Sequence, residues 1–257
     1  MLRKYARAVL HPQKPERPAH ALRALLRTPV LYDLVSCTLQ ARDLLRKTDI
    51  KTNRLDEDDY HRKVHDYNAG VTASKQIHST RRAEEYYQIL QLPPRDMRSE
   101  KLLVVGPRNI AELYIAWLHG FAWKNIDAID LYSTNPKIVE MNMEAMTFPP
   151  ASFDAVAMSA TLSYAADTRK VLQGVYDVLK PGGRFAFGQT YAPDGTDWPG
   201  NLIDGAGVKA MLDEIGFEIY AYRAFPKVNS KGKAQTSHRL GVVKPSADAF
   251  EHDKVVL

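Results

Sequence analysis

The stretch "LLVVGPRNIAELYIAWLHGF", residues 102–121, decides the fold. Four consecutive apolar residues, Leu102 to Val105, read as a strand buried on both faces. Gly106-Pro107 breaks it with a tight turn, and Asn109 then offers a side-chain oxygen where a helix would begin. Glu112, three positions on, completes the spacing of a capping-box variant. Ile110, Leu113, Tyr114, Trp117 and Leu118 follow at helical spacing and give that helix an apolar face. Strand, turn and capped helix make a β–α unit, the place where an open α/β sheet holds its ligand. The turn has a single glycine where the familiar nucleotide-binding turns have three.

Working outward, apolar strand candidates alternate with helical segments. The strands are "KLLVVG" (101–106), "NIDAIDLY" (125–132), "FDAVAMS" (153–159), "GRFAFGQT" (183–190), "FEIYAYRAF" (217–225) and "SHRLGVVKP" (237–245). "DTRKVLQGVYDVLKPGG" (167–183) is the clearest helix, with Val171, Leu172, Val175, Val178 and Leu179 on one face and Pro181-Gly182-Gly183 as its stop. Such alternation implies a doubly wound, mostly parallel sheet. The last two strands are joined by "PKVNSKGKAQT", which has no helical pattern, so they should pair as an antiparallel hairpin at one edge.

Upstream, residues 1 to about 95 have helical character. "AHALRALLRTPVLYDLVSCTLQARDLLRK" spaces its leucines and valines by three and four residues, with a break at Pro29. A polar stretch, "TDIKTNRLDEDDYHRKVHDYNAG", separates it from "TASKQIHSTRRAEEYYQILQL", where helical spacing resumes until Pro93-Pro94.

Composition excludes several classes. Of 257 residues 45% are hydrophobic, enough for a full core, and no apolar run approaches the roughly 20 residues that span a bilayer. Cys37 is the only cysteine, so no intrachain disulfide forms and no thiolate metal site is indicated; His61 and His65 are four apart but lack a third ligand. With no secretory h-region at the N-terminus, a cytoplasmic location is the expectation. Residues 1–95 hold 18 Lys and Arg against 11 Asp and Glu, although the whole chain is only +5. That basic region reads as a solvated helical surface, or as a surface for nucleic acid, an anionic membrane or an anionic substrate.

Four stretches together resemble the class I S-adenosylmethionine (SAM) methyltransferases with a type-11-like methyltransferase domain, across residues 98–245. They are "LLVVGPRN", "IDAIDLY", "MNMEAMTFPPASFDAVAMSATLSY" and "VLQGVYDVLKPGGRFAF". The resemblance implies an α/β fold with a doubly wound, mostly parallel seven-stranded sheet, a C-terminal antiparallel hairpin and an N-terminal helical extension. It divides the chain into a helical extension or lid (1–97), a SAM-binding Rossmann-like domain (98–245) and a tail (246–257).

It also implies a cofactor site. Gly106, Pro107 and Arg108 would meet the methionyl end, with Arg108 pairing the carboxylate or, alternatively, pairing Asp130 or Glu112. Asp130 would accept the ribose hydroxyls beside Leu131, while Asn142, standing where the family has aspartate, and Met143 would address adenine. Ser159 falls at the site mouth. For transfer chemistry the candidates are Tyr164 after the fourth motif and Asp194 or Asp197 after the next strand, where Asp194-Gly195 is also an ordinary turn signal. Ser163, Gln189, Tyr191 and Trp198 fall nearby. His61, His65, Tyr67, His78, Tyr86 and Tyr87 could face the pocket from the extension. The function implied is methyl transfer to an oxygen or nitrogen of a small-molecule or glycan-type acceptor. The alternatives are an inactive SAM-fold binding or scaffold protein, or an RNA or protein methyltransferase using the basic region.

Overall fold

A computed structural model describes residues 18–45, 59–74, 77, 81–133, 135–196, 198–229 and 231–246. Its spine is a seven-stranded sheet. The strands are β1 (Leu102–Val105), β2 (Ile126–Asp130), β3 (Ile138–Glu140), β4 (Phe153–Met158), β5 (Leu179–Tyr191), β6 (Glu218–Val228) and β7 (Ala234–Val243). Their order is β3-β2-β1-β4-β5-β7-β6. The first five run parallel, and β7 inserts antiparallel between β5 and β6. The order reverses between β1 and β4, and an open sheet places its ligand crevice beside such a reversal.

Alternation along the strands explains why both faces are covered. Leu102 and Val104 of β1 point into one core with Ala155, Ala157 and Ala186, whereas Leu103 and Val105 point into the other with Val156, Met158, Phe185 and Phe187. Because all four residues of β1 are buried, the strand reads as a continuous apolar run rather than an alternating one. Helices α6 (Thr168–Val178) and α7 (Gly205–Ile215) cover the second face through Val171, Leu172, Val175, Val208 and Leu212.

The first face is covered by α5 (Ile110–Leu118) and by helices from the N-terminal region: α1 (Pro18–Leu26), α2 (Pro29–Leu45) and α4 (Glu84–Gln91). Pro29 separates α1 from α2 as expected and sits in the first turn of the second, where its missing N–H costs nothing. Arg27 donates to Leu118 O at 2.6 Å and Arg23 to Gly120 O at 3.1 Å. Two cations therefore satisfy carbonyls at the C-terminal end of α5, where the helix dipole favours them. Tyr86, Tyr87 and Leu90 of α4 are fully buried against the sheet.

Several expectations need correction. Helix α3 (Asp59–Ser74) begins inside the stretch read as a polar connection and runs past its end at residue 70, and α4 covers the last part of the helix expected from residue 72, of which residues 75, 76 and 78–80 lie outside the described residues. Strand β3 was not among the strands read from the sequence; it has three residues and pairs with β2 alone. Helix α6 stops at Val178, before Pro181, and the chain enters β5 at Leu179. The residue preceding a proline is pushed out of helical conformation, so the stop falls earlier than the glycines suggest. Among the described residues, no helix is long and apolar enough to cross a membrane.

Candidate functional site

One pocket opens at the carboxyl edge of the parallel strands and encloses about 760 Å³ including its mouth. Four loops supply its floor: Gly106 and Arg108 after β1, Asp130, Leu131 and Tyr132 at the end of β2, Met141 to Glu144 after β3, and Ser159 to Thr161 with Tyr164 after β4. Helix α3 lies over it with His61, Val64 and Asn68, and Arg82 enters just before α4.

Gly106 has to be glycine for two reasons. Its φ is +73°, and a Cβ built there would lie 2.2 Å from Thr161 Oγ1. The left-handed turn and the close approach of the β4 loop use the same missing atom. Thr161 Oγ1 donates to Gly106 O at 3.3 Å, tying the two loops together. Ala160, also in the wall, holds a positive φ of 58° without being glycine. Such backbone strain concentrates at functional sites. Pro107 is buried and does not line the pocket.

Behind the turn, Asn109 caps α5, its Oδ1 accepting from Ala111 N at 3.0 Å, but Glu112 does not complete a capping box. Its carboxylate is buried and stands 3.6 Å from Arg82 Nη2. Burial pushes the Glu112 carboxyl above its usual range, with Arg82 and Arg108 acting in the opposite direction. Arg108 is half-buried in the pocket wall. Neither Asp130 nor Glu112 forms an ion pair with it among the described residues.

Asp130 sits where β2 ends, its carboxyl pushed up to about 7 by burial. Backbone N–H groups of Leu131 and Tyr132, and the Arg108 guanidinium, act against that rise, while Glu112 adds to it. Asn142 Oδ1 accepts from Glu144 N at 2.8 Å, capping a short 3₁₀ turn. Its NH₂ and second lone pair stay available for a ligand. Ser159 Oγ is buried without a hydrogen-bond partner among the described residues.

Around Tyr164, and beyond the residues that line the pocket, two further rings gather. Tyr67 of α3, Tyr164 and Trp198 stand with centroids 5.0–6.1 Å apart. Tyr60 Oη donates to Tyr164 O at 3.1 Å, fastening α3 to the β4 loop. Burial raises the pKa of Tyr164, so its hydroxyl stays neutral and serves as a donor rather than a base. His61 Nε2 lies 3.5 Å from Glu144 Oε1, both side chains shielded and both lining the pocket. Glu144 Oε1 is itself anchored by Ala166 N at 2.6 Å.

The pocket thus brings together Gly106, Arg108, Asp130, Leu131, Asn142, Met143, Ser159 and Tyr164. Asp194 is excluded: it stands exposed on a turn closed by Gly195 N to Ala192 O and is not in the lining. Asp197 and His78 lie outside the described residues. Tyr86 and Tyr87 belong to the core and not the site, because α4 packs on the sheet face. Gln189 holds the loop after β5 by donating to Gly200 O and Ile203 O. The His61–Glu144 pair and Arg82 were missed as a set, since no local spacing links residues so distant in the chain.

Comparison with known proteins gives three findings. A family model described as a methyltransferase domain matches residues 120–187. A ubiquinone/menaquinone biosynthesis C-methyltransferase UbiE from Marinomonas sp. (strain MWYL1) is 30% identical over 121 residues, covering 35% of this chain and 48% of the relative. The chain therefore spans less than half the length of the curated relatives it matches. Among solved structures, a Burkholderia thailandensis 1,6-didemethyltoxoflavin-N1-methyltransferase, with bound 1,6-didemethyltoxoflavin and S-adenosylhomocysteine, superposes with TM-score 0.53 at 13% identity, over 77% of this chain and 95% of that one. The [4+2]-cyclase SpnF superposes with TM-score 0.50 at 15% identity, over 64% and 81%. At these identities the structures share a fold, and the cyclase is a reminder that one fold hosts different chemistry.

Proposed function

We propose that the chain is a class I S-adenosylmethionine-dependent methyltransferase, that its pocket binds SAM and that it transfers the methyl group to a ring-bearing small molecule. One observation carries this reading: a single cleft unites side chains from the carboxyl ends of β1, β2, β3 and β4. Its residues suit the cofactor chemically. Asp130 offers two oxygens to two ribose hydroxyls, Arg108 is a guanidinium that forms no ion pair among the described residues, and Ser159 Oγ is buried without a partner among them.

Bound SAM supplies an electrophilic methyl group on a sulfonium. The protein must hold the acceptor in line with it and exclude water. Tyr164 in the lining, backed by Tyr67 and Trp198 just outside it, offers a flat or sugar-like ring apolar area and an edge to stack on. His61 takes up the acceptor's proton, and Glu144 orients the imidazole and stabilises its charged form. That base serves an oxygen, nitrogen or carbon acid alike. It replaces the exposed Asp194 in the role expected from the sequence.

Calorimetric titration with SAM and S-adenosylhomocysteine tests the cofactor, and absence of binding up to millimolar concentration would favour the scaffold reading instead. For the base, His61→Ala should lower turnover about 100-fold or more while cofactor affinity stays within about twofold. Equal loss of both would make His61 a part of the binding wall.

A further inference from the structure

Helix α2 is apolar on two sides. Its inward side packs Tyr32, Val35 and Leu39 on the core and also buries Ser36, Gln40 and Asp43, with Gln40 Oε1 accepting from Asn109 Nδ2 at 3.1 Å and Asp43 Oδ2 from Asn135 Nδ2 at 2.8 Å. Its outward side is apolar. Val30, Leu34 and Leu45 are 78%, 61% and 85% exposed, with Leu44 beside them. With Cys37 and Ala41 they occupy an arc of about 100° on the helix. Asp33, at the edge of that arc, has an interaction of its own. Helix α1 is similar: Leu26 packs on the core, Arg23 and the following Arg27 turn inward to the carbonyls at the end of α5, and Leu22 and Leu25 are left exposed. A soluble surface helix is polar on its outward side, so these two faces are built to be covered.

We propose that the outward faces of α1 and α2 seat the protein on an anionic lipid bilayer surface. Charge selects this occupant. Residues 1–17, immediately before α1, carry five basic residues and one acidic one, the sign that anionic headgroups attract. An apolar helical face with a basic neighbouring segment is the combination that binds at a bilayer interface. A second copy fits less well, because symmetric pairing of these faces would bring two such basic segments together. Nucleic acid fits less well also: phosphates need cations on the contact face, and this face carries leucine and valine.

Flotation of the full chain with phosphatidylcholine vesicles, alone or with about one third phosphatidylglycerol, tests the proposal. The protein should float with the anionic vesicles, and salt raised to about 0.5 M should weaken but not abolish that binding, because the apolar part is unscreened. Val30→Glu combined with Leu34→Glu should reduce the bound fraction about tenfold or more, with unfolding temperature and cofactor affinity unchanged. Three outcomes would overturn the idea. They are wild-type protein that ignores anionic vesicles, a double variant that binds them as well as wild type, and a dimer in light scattering that the double variant dissociates.

Discussion

Asp130 couples stability, pH and cofactor affinity, and Asp130→Asn separates them. The carboxyl titrates at about 7 in the folded protein against a reference of 3.8. A raised acid pKa means that folding favours the protonated form. The folded state then binds more protons than the unfolded one between those values, so stability falls as pH rises from about 4 to about 7 and stays lowered above that. At roughly 1.4 kcal/mol per pKa unit, the full gap is worth about 4 kcal/mol. Asp130 keeps some contact with solvent through the pocket mouth, so screening reduces this to about 2–3 kcal/mol. Asparagine keeps the shape and loses the titration. The variant should therefore gain on wild type as pH rises from 5 to 8, by about 1–2 kcal/mol, or some 2–8 °C in unfolding temperature for a chain of this size.

Cofactor binding should move the other way. Ribose hydroxyls donate to the ionised carboxylate, so affinity for S-adenosylhomocysteine should rise with pH up to about 7 and then level. In Asp130→Asn the affinity should be lower by about 1.5–3 kcal/mol at pH 8 and nearly independent of pH. The paired assay is thermal unfolding at pH 5 and 8 beside calorimetry at pH 6, 7 and 8. A pH-independent stability difference, or an Asn variant that binds as tightly as wild type at pH 8, would refute the reasoning.

Three further outcomes are expected. Gly106→Ala should cost about 1–3 kcal/mol in thermal unfolding, from the positive φ and from the Cβ aimed at Thr161; adding Thr161→Ala should recover only part of the contact cost, because the Cβ at 161 would still lie 2.7 Å away. Arg108→Ala should weaken S-adenosylhomocysteine binding by about 1–3 kcal/mol in calorimetry and leave unfolding temperature nearly unchanged, since among the described residues no carboxylate is ion-paired with it. Gly188→Ala would set a Cβ 2.1 Å from Tyr86 Oη, so it should destabilise by about 1–3 kcal/mol in denaturant titration, and Tyr86→Phe should relieve much of that loss.

What could be read from the sequence follows from how local each signal is. The β1 turn, Asp130 and the terminal hairpin were legible because their signals lie within a few residues: an apolar run, a strand-ending acid, and a loop without helical spacing. Helix α3 was not, because its pocket side is His61, Val64 and Asn68 and a cleft-covering helix needs little apolar surface. Helix α2 was read correctly as a helix, yet periodicity cannot say which side faces in. Its leucines suggest the core, whereas the fold buries Tyr32 together with Ser36, Gln40 and Asp43, and Gln40 and Asp43 meet Asn109 at the start of α5 and Asn135 in the loop between β2 and β3. The pairing of His61 with Glu144 depends on α3 lying across the loop after β3, a tertiary fact with no local trace. Arg108 shows the same division. Its place after Gly106 was plain from the sequence, but only the fold shows that Glu112, the nearest acid on the same helix turn, stands closer to Arg82. A guanidinium without a carboxylate partner among the described residues, in the wall of a cleft that lacks the usual extra glycines, is the arrangement expected where a charged side chain takes over an anion's contacts from the backbone.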